Sequence, residues 1–273
     1  MSRGLKSLLL HVALVAGAVL ALIPMGWMVS ASFMAPGEAN TFPPRILPAH
    51  PTLVHYQTLF GRLDLGRYAL NSLIVAVAGT ASCLLVTSLA GYAFAKLRFP
   101  GRDGTFRLLL GALVIPAQVS MLPLFLLMRE LGLVNTYLGA IIPAMAPIFG
   151  IFMVRQFAGS IPDDLLDAAR LDGASEWRIY RSIVLPVIAP VLVTLAIFTL
   201  LATWNDFMWP LIVLSDEAKW TLPVALASLS GEHAQDTELM MAGSVVTTLP
   251  VLAVFLVLQR FYIQGIMAGS VKG

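Results

Sequence analysis

Six long stretches of this chain contain no Asp, Glu, Lys or Arg: Ser7–Gly37, Tyr68–Ala95, Leu108–Met128, Leu131–Val154, Ser182–Asn205 and Leu239–Gln259. The shortest has 21 residues, and a helix rising ~1.5 Å per residue needs about 20 to cross ~30 Å of hydrocarbon. Lipid leaves unpaired backbone groups unsatisfied, and the alternating ten-residue pattern of a membrane barrel is absent, so each stretch is expected to be a transmembrane helix. Only 12% of the 273 residues are charged, against ~25% in soluble domains. That excludes a soluble enzyme, a nucleic-acid-binding module and a disordered chain. The expected class is an all-α, six-span membrane protein.

The first stretch follows Arg3 and Lys6, as in a signal peptide, but its apolar run to Met34 exceeds the ~7–15 residues of such a segment. It is read as an uncleaved first helix. The apolar run Phe207–Ser215 is too short to span, contains Pro210, and is read as an interfacial or re-entrant piece. With six spans, twelve basic residues fall on the side of the termini and five (Arg45, Arg62, Arg67, Arg129 and Lys219) on the other. The positive-inside rule then puts both termini in the cytoplasm. Residues 96–107 and 155–181 become cytoplasmic, and residues 38–67 and 206–238 external.

His11 is the one ionisable histidine in the six stretches, about a turn beyond Lys6, where an interfacial neutral histidine suffices. No intramembrane coupling group, voltage sensor or charged filter is visible. Pro24, Pro116, Pro123, Pro143, Pro147, Pro186, Pro190 and Pro250 lie within the spans. They suit a bent bundle around a path and equally suit packing alone. Asn71, Gln118 and Asn205 are polar candidates for facing a path or for bonding a neighbouring helix. The four lysines follow Leu5, Ala95, Ala218 and Val271, so no phosphate-binding Gly-Lys loop exists. There is no HExxH, no GxSxG and no metal-ligand cluster, and the single cysteine, Cys83, has no partner. No metal site is expected, and energy for active transport would come from another polypeptide.

Five of the fifteen acids (Asp163, Asp164, Asp167, Asp172 and Glu176) fall in the segment 155–181. Ser160, Pro162, Asp163 and Asp164 suit a helix start and Gly173 a helix stop. Between them about ten residues would form a short helix, with Leu165, Ala168, Ala169 and Leu171 available for burial and Asp163, Asp164, Asp167 and Arg170 for solvent or a partner. A second short piece, Ser175–Ile183, leads into the fifth span. Such a helix can lie on lipid or dock a partner. Its acidity disfavours anionic lipid, and its attachment to spans at both ends would transmit a push.

The pattern Asp167-Ala168-Ala169, three residues, Gly173, nine residues, Ile183, one residue, Leu185-Pro186 resembles the EAA signature of permease subunits of bacterial ATP-binding cassette (ABC) importers. Residues 91–101 (Gly-Tyr-Ala-Phe-Ala-Lys-Leu-Arg-Phe-Pro-Gly), Asn71-Ser72-Leu73, Trp204-Asn205-Asp206 through Trp209-Pro210-Leu211, and the tail from Gly265 ending in Val271-Lys272-Gly273 are similar to the maltose-type carbohydrate permeases. The resemblance covers essentially the whole chain. Where the family usually has Glu, this chain has Asp167, a carboxylate one methylene shorter.

The resemblance implies an ABC type-1 importer permease fold with a coupling helix between helices 4 and 5. It also implies a sugar importer subunit, carrying a di- or oligosaccharide, that works with a second, different permease, two ATP-binding cassette ATPases and an extracytoplasmic sugar-binding protein. The place is the bacterial inner membrane, in contact with lipid and with no nucleic acid. ATP and Mg would be used by the ATPase, with no cofactor bound by this chain and no catalysis in it. Residues 1–66 would hold the first helix and first external loop, 67–260 the transmembrane domain with its coupling loop 155–181, and 261–273 a cytoplasmic tail. Asp163, Asp164, Asp167, Ala168, Ala169, Asp172, Gly173, Ile183, Leu185 and Pro186 would form the ATPase-coupling segment, with Asp167 facing a basic group and Ala168, Ala169 and Gly173 permitting close seating. Gly269, Val271, Lys272 and Gly273 would contact the ATPase from the tail. An external loop with Ser228, Ser230, Gly231, Glu232, His233 and Gln235 would meet the binding protein. The alternative is an ATP-independent secondary carrier or channel.

Overall fold

The computed structural model describes residues 3–43, 45–232 and 236–270, and every regular element among them is helical. In chain order these are α1 (Arg3–Ala31), α2 (Val54–Gly61), α3 (Leu65–Lys96), α4 (Arg102–Ala112), α5 (Ala117–Glu130), α6 (Tyr137–Ile141), α7 (Ile148–Gly159), α8 (Asp163–Leu171), α9 (Glu176–Ile179), α10 (Leu185–Trp204), α11 (Met208–Val213), α12 (Leu222–Glu232) and α13 (Thr237–Ser270). Four helical segments are long and apolar enough to cross a membrane: Ser7–Ala31, Leu65–Lys96, Glu176–Trp204 and Thr237–Val257. The pairs α4–α5 and α6–α7 qualify only as broken units, bent by 111° and 45°, and the count reaches six if each pair is one span.

The two breaks occupy the third and fourth charge-free stretches, where the sequence suggested single helices. Pro116 has no N–H and disfavours helical geometry at Ile115. The amides of Leu113, Val114 and Ile115 therefore turn to tight bonds three residues back, on Leu110, Gly111 and Ala112, and the chain restarts from an extended Pro116. Pro143 and Pro147 act likewise: a 3₁₀ turn over Ile142–Ala144 ends one piece and an extended Pro147 opens α7. At Pro186 the response is milder. A π-turn over Tyr180–Val184 bridges α9 to α10, so Ser175–Ile183 is the opening of the fifth span rather than a separate helix. The short α11 lies in the run Phe207–Ser215, as expected for a non-spanning piece.

The chain divides into two compact units. One comprises Met1–Arg67 with Ala225–Pro250. Its small core joins Ala31, Met34 and Ala39, with Trp27 and Met241 against them. The loop after α1 is organised by Glu38. One carboxylate oxygen accepts from the Ala49 amide at 2.7 Å and from Arg45 at 3.1 Å, and the other accepts from the Ala35 amide at 3.0 Å. These bonds, that of Ala49 foremost, hold the Glu38 carboxyl below the ordinary carboxylate range. Glu238, on the first turn of α13, is buried and accepts from the Ala39 amide at 2.7 Å. His55 bonds the Met34 carbonyl at 3.0 Å, and Tyr56 donates to Ser32 at 2.8 Å. The apolar side chains of α1 from Leu8 to Ile23 face outward, as befits contact with lipid or a partner chain. His11 bonds the Ser7 carbonyl at 2.7 Å.

The other unit comprises Tyr68–Val224 with Val251–Gly273. Its larger core packs α3, α7 and α10 together around Tyr92, Val154, Ile188 and Leu195, and reaches Leu166 of α8. A second core gathers Val75, Met128, Ile141, Trp209 and Val213, where the Trp209 indole donates to the Gly139 carbonyl at 3.0 Å. Close approach of helices is paid for at glycines. A Cβ on Gly91 would sit 2.5 Å from Val154 Cγ1 and 3.0 Å from the Arg155 amide nitrogen. Around Gly17 of α1 nothing lies within 4 Å. The residues after Arg260, read from sequence as a tail, continue α13 to Ser270.

Gly91→Ala should therefore lower thermal stability in detergent, by about 1–3 kcal/mol of overpacking. Gly17→Ala should leave it unchanged or raise it by up to ~1 kcal/mol through helix propensity. Equal behaviour of the two would contradict the α3–α7 packing.

Candidate functional site

The segment from Gly159 to Val184 carries an extended polar network. α8 starts from Pro162 in extended geometry with no side-chain cap, and Asp163 and Asp164 supply the negative charge of its first turn. Ser160, expected to cap this helix, instead donates to the Phe157 carbonyl at the end of α7. At the other end Gly173 adopts φ +81°. Its amide reaches the Arg170 carbonyl and the Ala174 amide reaches the Ala169 carbonyl, each at 3.0 Å, the paired bonds of a Schellman stop. Nothing lies within 4 Å of a Cβ built on Gly173, so within this chain the backbone turn, not crowding, requires glycine.

The register of α8 differs from the sequence reading. Leu166 is the buried anchor, at 1% exposure, while Leu165 is 48% and Leu171 90% exposed. Ala169 packs inward against the core with Ala174, and Ala168 faces out. A nine-residue helix with three leucines does not announce which of two adjacent leucines turns inward; the contact of Leu166 with the α7–α10 core decides it. Ile183 and Leu185 also pack against that core, and Pro186 is exposed in the first turn of α10. The outward face thus presents Asp164, Leu165, Asp167, Ala168, Leu171 and Asp172.

Beneath this face α8 is tied down electrostatically. Lys96, at the end of α3, donates to Asp163 at 2.7 Å, to the Ile161 carbonyl at 2.6 Å and to the Gly159 carbonyl at 3.3 Å. Its side chain is 7% exposed. The Lys96 ammonium beside Asp163 holds that carboxyl below the usual carboxylate range. This tie is intact above ordinary carboxylate pKa values and is lost only as pH falls through the lowered one. Arg170 donates to Glu176 at 2.7 Å and to Asp167 at 2.6 Å, and both raise its pKa. Tyr92 of α3 donates to Glu176 at 2.6 Å. Asp167 is thus already paired within the chain, though 64% of its side chain is exposed. A cleft of about 770 Å³ opens here, lined by Lys96, Arg98, Arg102, Asp163, Arg170 and Glu176 among others.

The remaining candidates fall elsewhere. Asn71 is buried and committed: its amide donates to the Ala218 and Trp220 carbonyls at 3.0 and 2.9 Å, and its oxygen accepts from Tyr137 at 2.8 Å. It fastens the α11–α12 connection rather than facing a path. Asn205 is exposed and donates to the Leu201 carbonyl, closing α10. Gln118 is exposed in the first turn of α5. Ser228, Ser230, Gly231 and Glu232, expected in a loop, belong to α12; His233 and Gln235 lie outside the described residues. Gly269 is in α13, and Val271, Lys272 and Gly273 lie outside the described residues. Sequence reasoning missed Tyr92, Lys96 and Glu176 as a set. Their signal was the four-residue spacing of Tyr92 and Lys96 on one face of α3.

Residues 84–266 match the family described as binding-protein-dependent transport system inner membrane component. Over 203 residues the chain is 42% identical to the arabinooligosaccharides transport system permease protein AraQ of Halalkalibacterium halodurans, covering 74% of this chain and 73% of that one. It is 34% identical to the lactose transport system permease protein LacG of Rhizobium radiobacter, over 99% and 98% of the two chains. Among solved structures, a chain of a bacterial ABC transporter involved in import of the acidic polysaccharide alginate superposes with a TM-score of 0.84 at 25% identity, covering 96% of this chain and 99% of that one. A chain of the alginate transporter in complex with an alginate pentasaccharide-bound periplasmic protein gives 0.64 at 17% identity, over 92% of each.

Because Gly173 is required by its φ, Gly173→Ala should lower the unfolding midpoint in detergent through roughly 1–2 kcal/mol of left-handed strain. Gly173→Asn, which tolerates that region, should lower it less. Equal losses would contradict the conformational account.

Proposed function

The chain belongs to the family of binding-protein-dependent transport system inner membrane components, and from that premise we propose how it works as the permease subunit of an ABC sugar importer. It forms half of a translocation pathway with a second, different permease. ATP and Mg are bound and hydrolysed in two separate ATPase subunits, and this chain performs no catalysis. α8 is the coupling helix and seats in a cleft of the ATPase. Both termini are cytoplasmic, which the twelve-to-five distribution of basic residues supports.

The observation that carries this reading is the asymmetry of α8. Its base is locked to the α3–α7–α10 core through Leu166, to α3 through Lys96 and to α9 through Arg170, while Leu165 and Leu171 on its outer face stay exposed. Exposed leucines flanked by Asp164, Asp167 and Asp172 suit a protein cleft with basic rims better than anionic lipid. A partner cation reaching Asp167 would compete with Arg170 for its carboxylate, and a charge-assisted contact of that kind is worth ~1.5–3 kcal/mol. ATP-driven approach of two ATPases would press two such helices together and reorient the attached spans.

The cargo is a neutral di- or oligosaccharide delivered by an extracytoplasmic binding protein. The relatives named for arabinooligosaccharides and lactose support this, as does the lack of Lys and Arg in all six charge-free stretches, which offers no cation there for an acidic sugar. Calorimetry of the cognate binding protein should detect arabinotriose or lactose and not an alginate trisaccharide; binding of the acidic saccharide alone would overturn the substrate class. Leu171→Asp should leave the chain folded, since that side chain is almost fully exposed, yet abolish co-purification of the ATPase. Retained co-purification would overturn the docking role of α8.

A further inference from the structure

We propose that Tyr92 and Lys96 form a two-point polar clamp that makes α3 a driven element, moving with α8 although no loop connects them. The proposal rests on the reading of α8 as the ATPase-coupling helix. α7 and α10 are joined to α8 by short connections, so a push on α8 reaches them through the backbone. α3 has no such link: Lys96 is 67 residues from Asp163 and Tyr92 is 84 from Glu176.

The contact is built as a ladder. Ser88, Tyr92 and Lys96 recur every four residues on one face of α3. Their partners come from three successive segments: Ser88 meets the Tyr180 hydroxyl at 2.7 Å in the π-turn, Tyr92 meets Glu176 at 2.6 Å at the start of α9, and Lys96 meets Asp163 at 2.7 Å at the start of α8. The Lys96 ammonium has three N–H donors and three acceptors, two of them carbonyls left over where α7 ends. From Tyr92 the network continues through Glu176 and Arg170 to Asp167, on the margin of the exposed face.

Apolar side chains let helices slide past one another with small loss, whereas a hydrogen bond weakens steeply once distance and angle leave a narrow range. The clamp therefore sets the position of α3 against α8, while Gly91 against Val154 seats α3 on α7. Tyr92 and Lys96 are positioning residues that act through α8.

The test uses the whole complex in nanodiscs, with Cys83→Ala as background and spin labels at Leu85 of α3 and Ser160 beside α8. In the otherwise native chain the label distance should be the same without nucleotide and after trapping with ATP and vanadate. In Tyr92→Phe/Lys96→Met the two states should differ by about 2 Å or more, the scale of a helix shift, with ATPase co-purification retained. Tyr92→Phe alone, which removes only a hydroxyl, should give part of this change, and Lys96→Arg should keep the native distances. Identical distances in both states of the double variant would overturn the clamp, as would a change on trapping in the native chain. Absence of the ATPase from the native complex would overturn the reading of α8 itself, and the clamp with it.

Discussion

Hydrocarbon accepts neither a lone charge nor an unpaired backbone group, and the rest of this structure is a response to that constraint. Charges are confined to the ends of the spans, and polar networks form at these margins, one around Glu38 and Glu238 and another around Lys96, Asp163 and Glu176. Within the spans the helix breaks at Pro116 and Pro147 and turns into a π-turn ahead of Pro186, while Pro24, Pro123, Pro190 and Pro250 sit inside continuous helices.

At the second margin one short helix is treated differently on its two sides. α8 is anchored through one leucine, Leu166, and through ionic ties at both ends, Asp163 to Lys96 and Arg170 to Glu176, while its outer leucines face open space. An element locked below and open above can receive a force and pass it on without itself unfolding. Its acidic first turn, glycine stop and internal Asp167–Arg170 pair shape the surface offered to a partner.

Much of this was legible in the sequence because it follows from local chemistry. Charge-free stretches delimit spans, Pro162 and Gly173 bound α8, and the Asp-Ala-Ala spacing carries the family resemblance. What escaped depends on contacts between distant residues. The choice of Leu166 over Leu165 is made by a core assembled from α3, α7 and α10. The pairing of Lys96 with Asp163 joins positions 67 residues apart. The 111° bend at Pro116 was signalled by the proline, but Pro123 and Pro190 lie inside unbroken helices, so proline alone does not reveal which outcome follows. Asn71 suits either a path or a bond to a neighbouring element, and the two carbonyls and the tyrosine that engage it lie far away in sequence.

In the proposed mechanism this chain is moved through α8 by ATP hydrolysis in another subunit. Uptake into proteoliposomes containing both permeases and the ATPase, with the binding protein and its radiolabelled saccharide outside, measures it directly. Accumulation should require hydrolysable ATP inside and persist when ionophores collapse every ion gradient. Uptake by this chain without the ATPase, driven by an ion gradient and indifferent to ATP, would contradict the account.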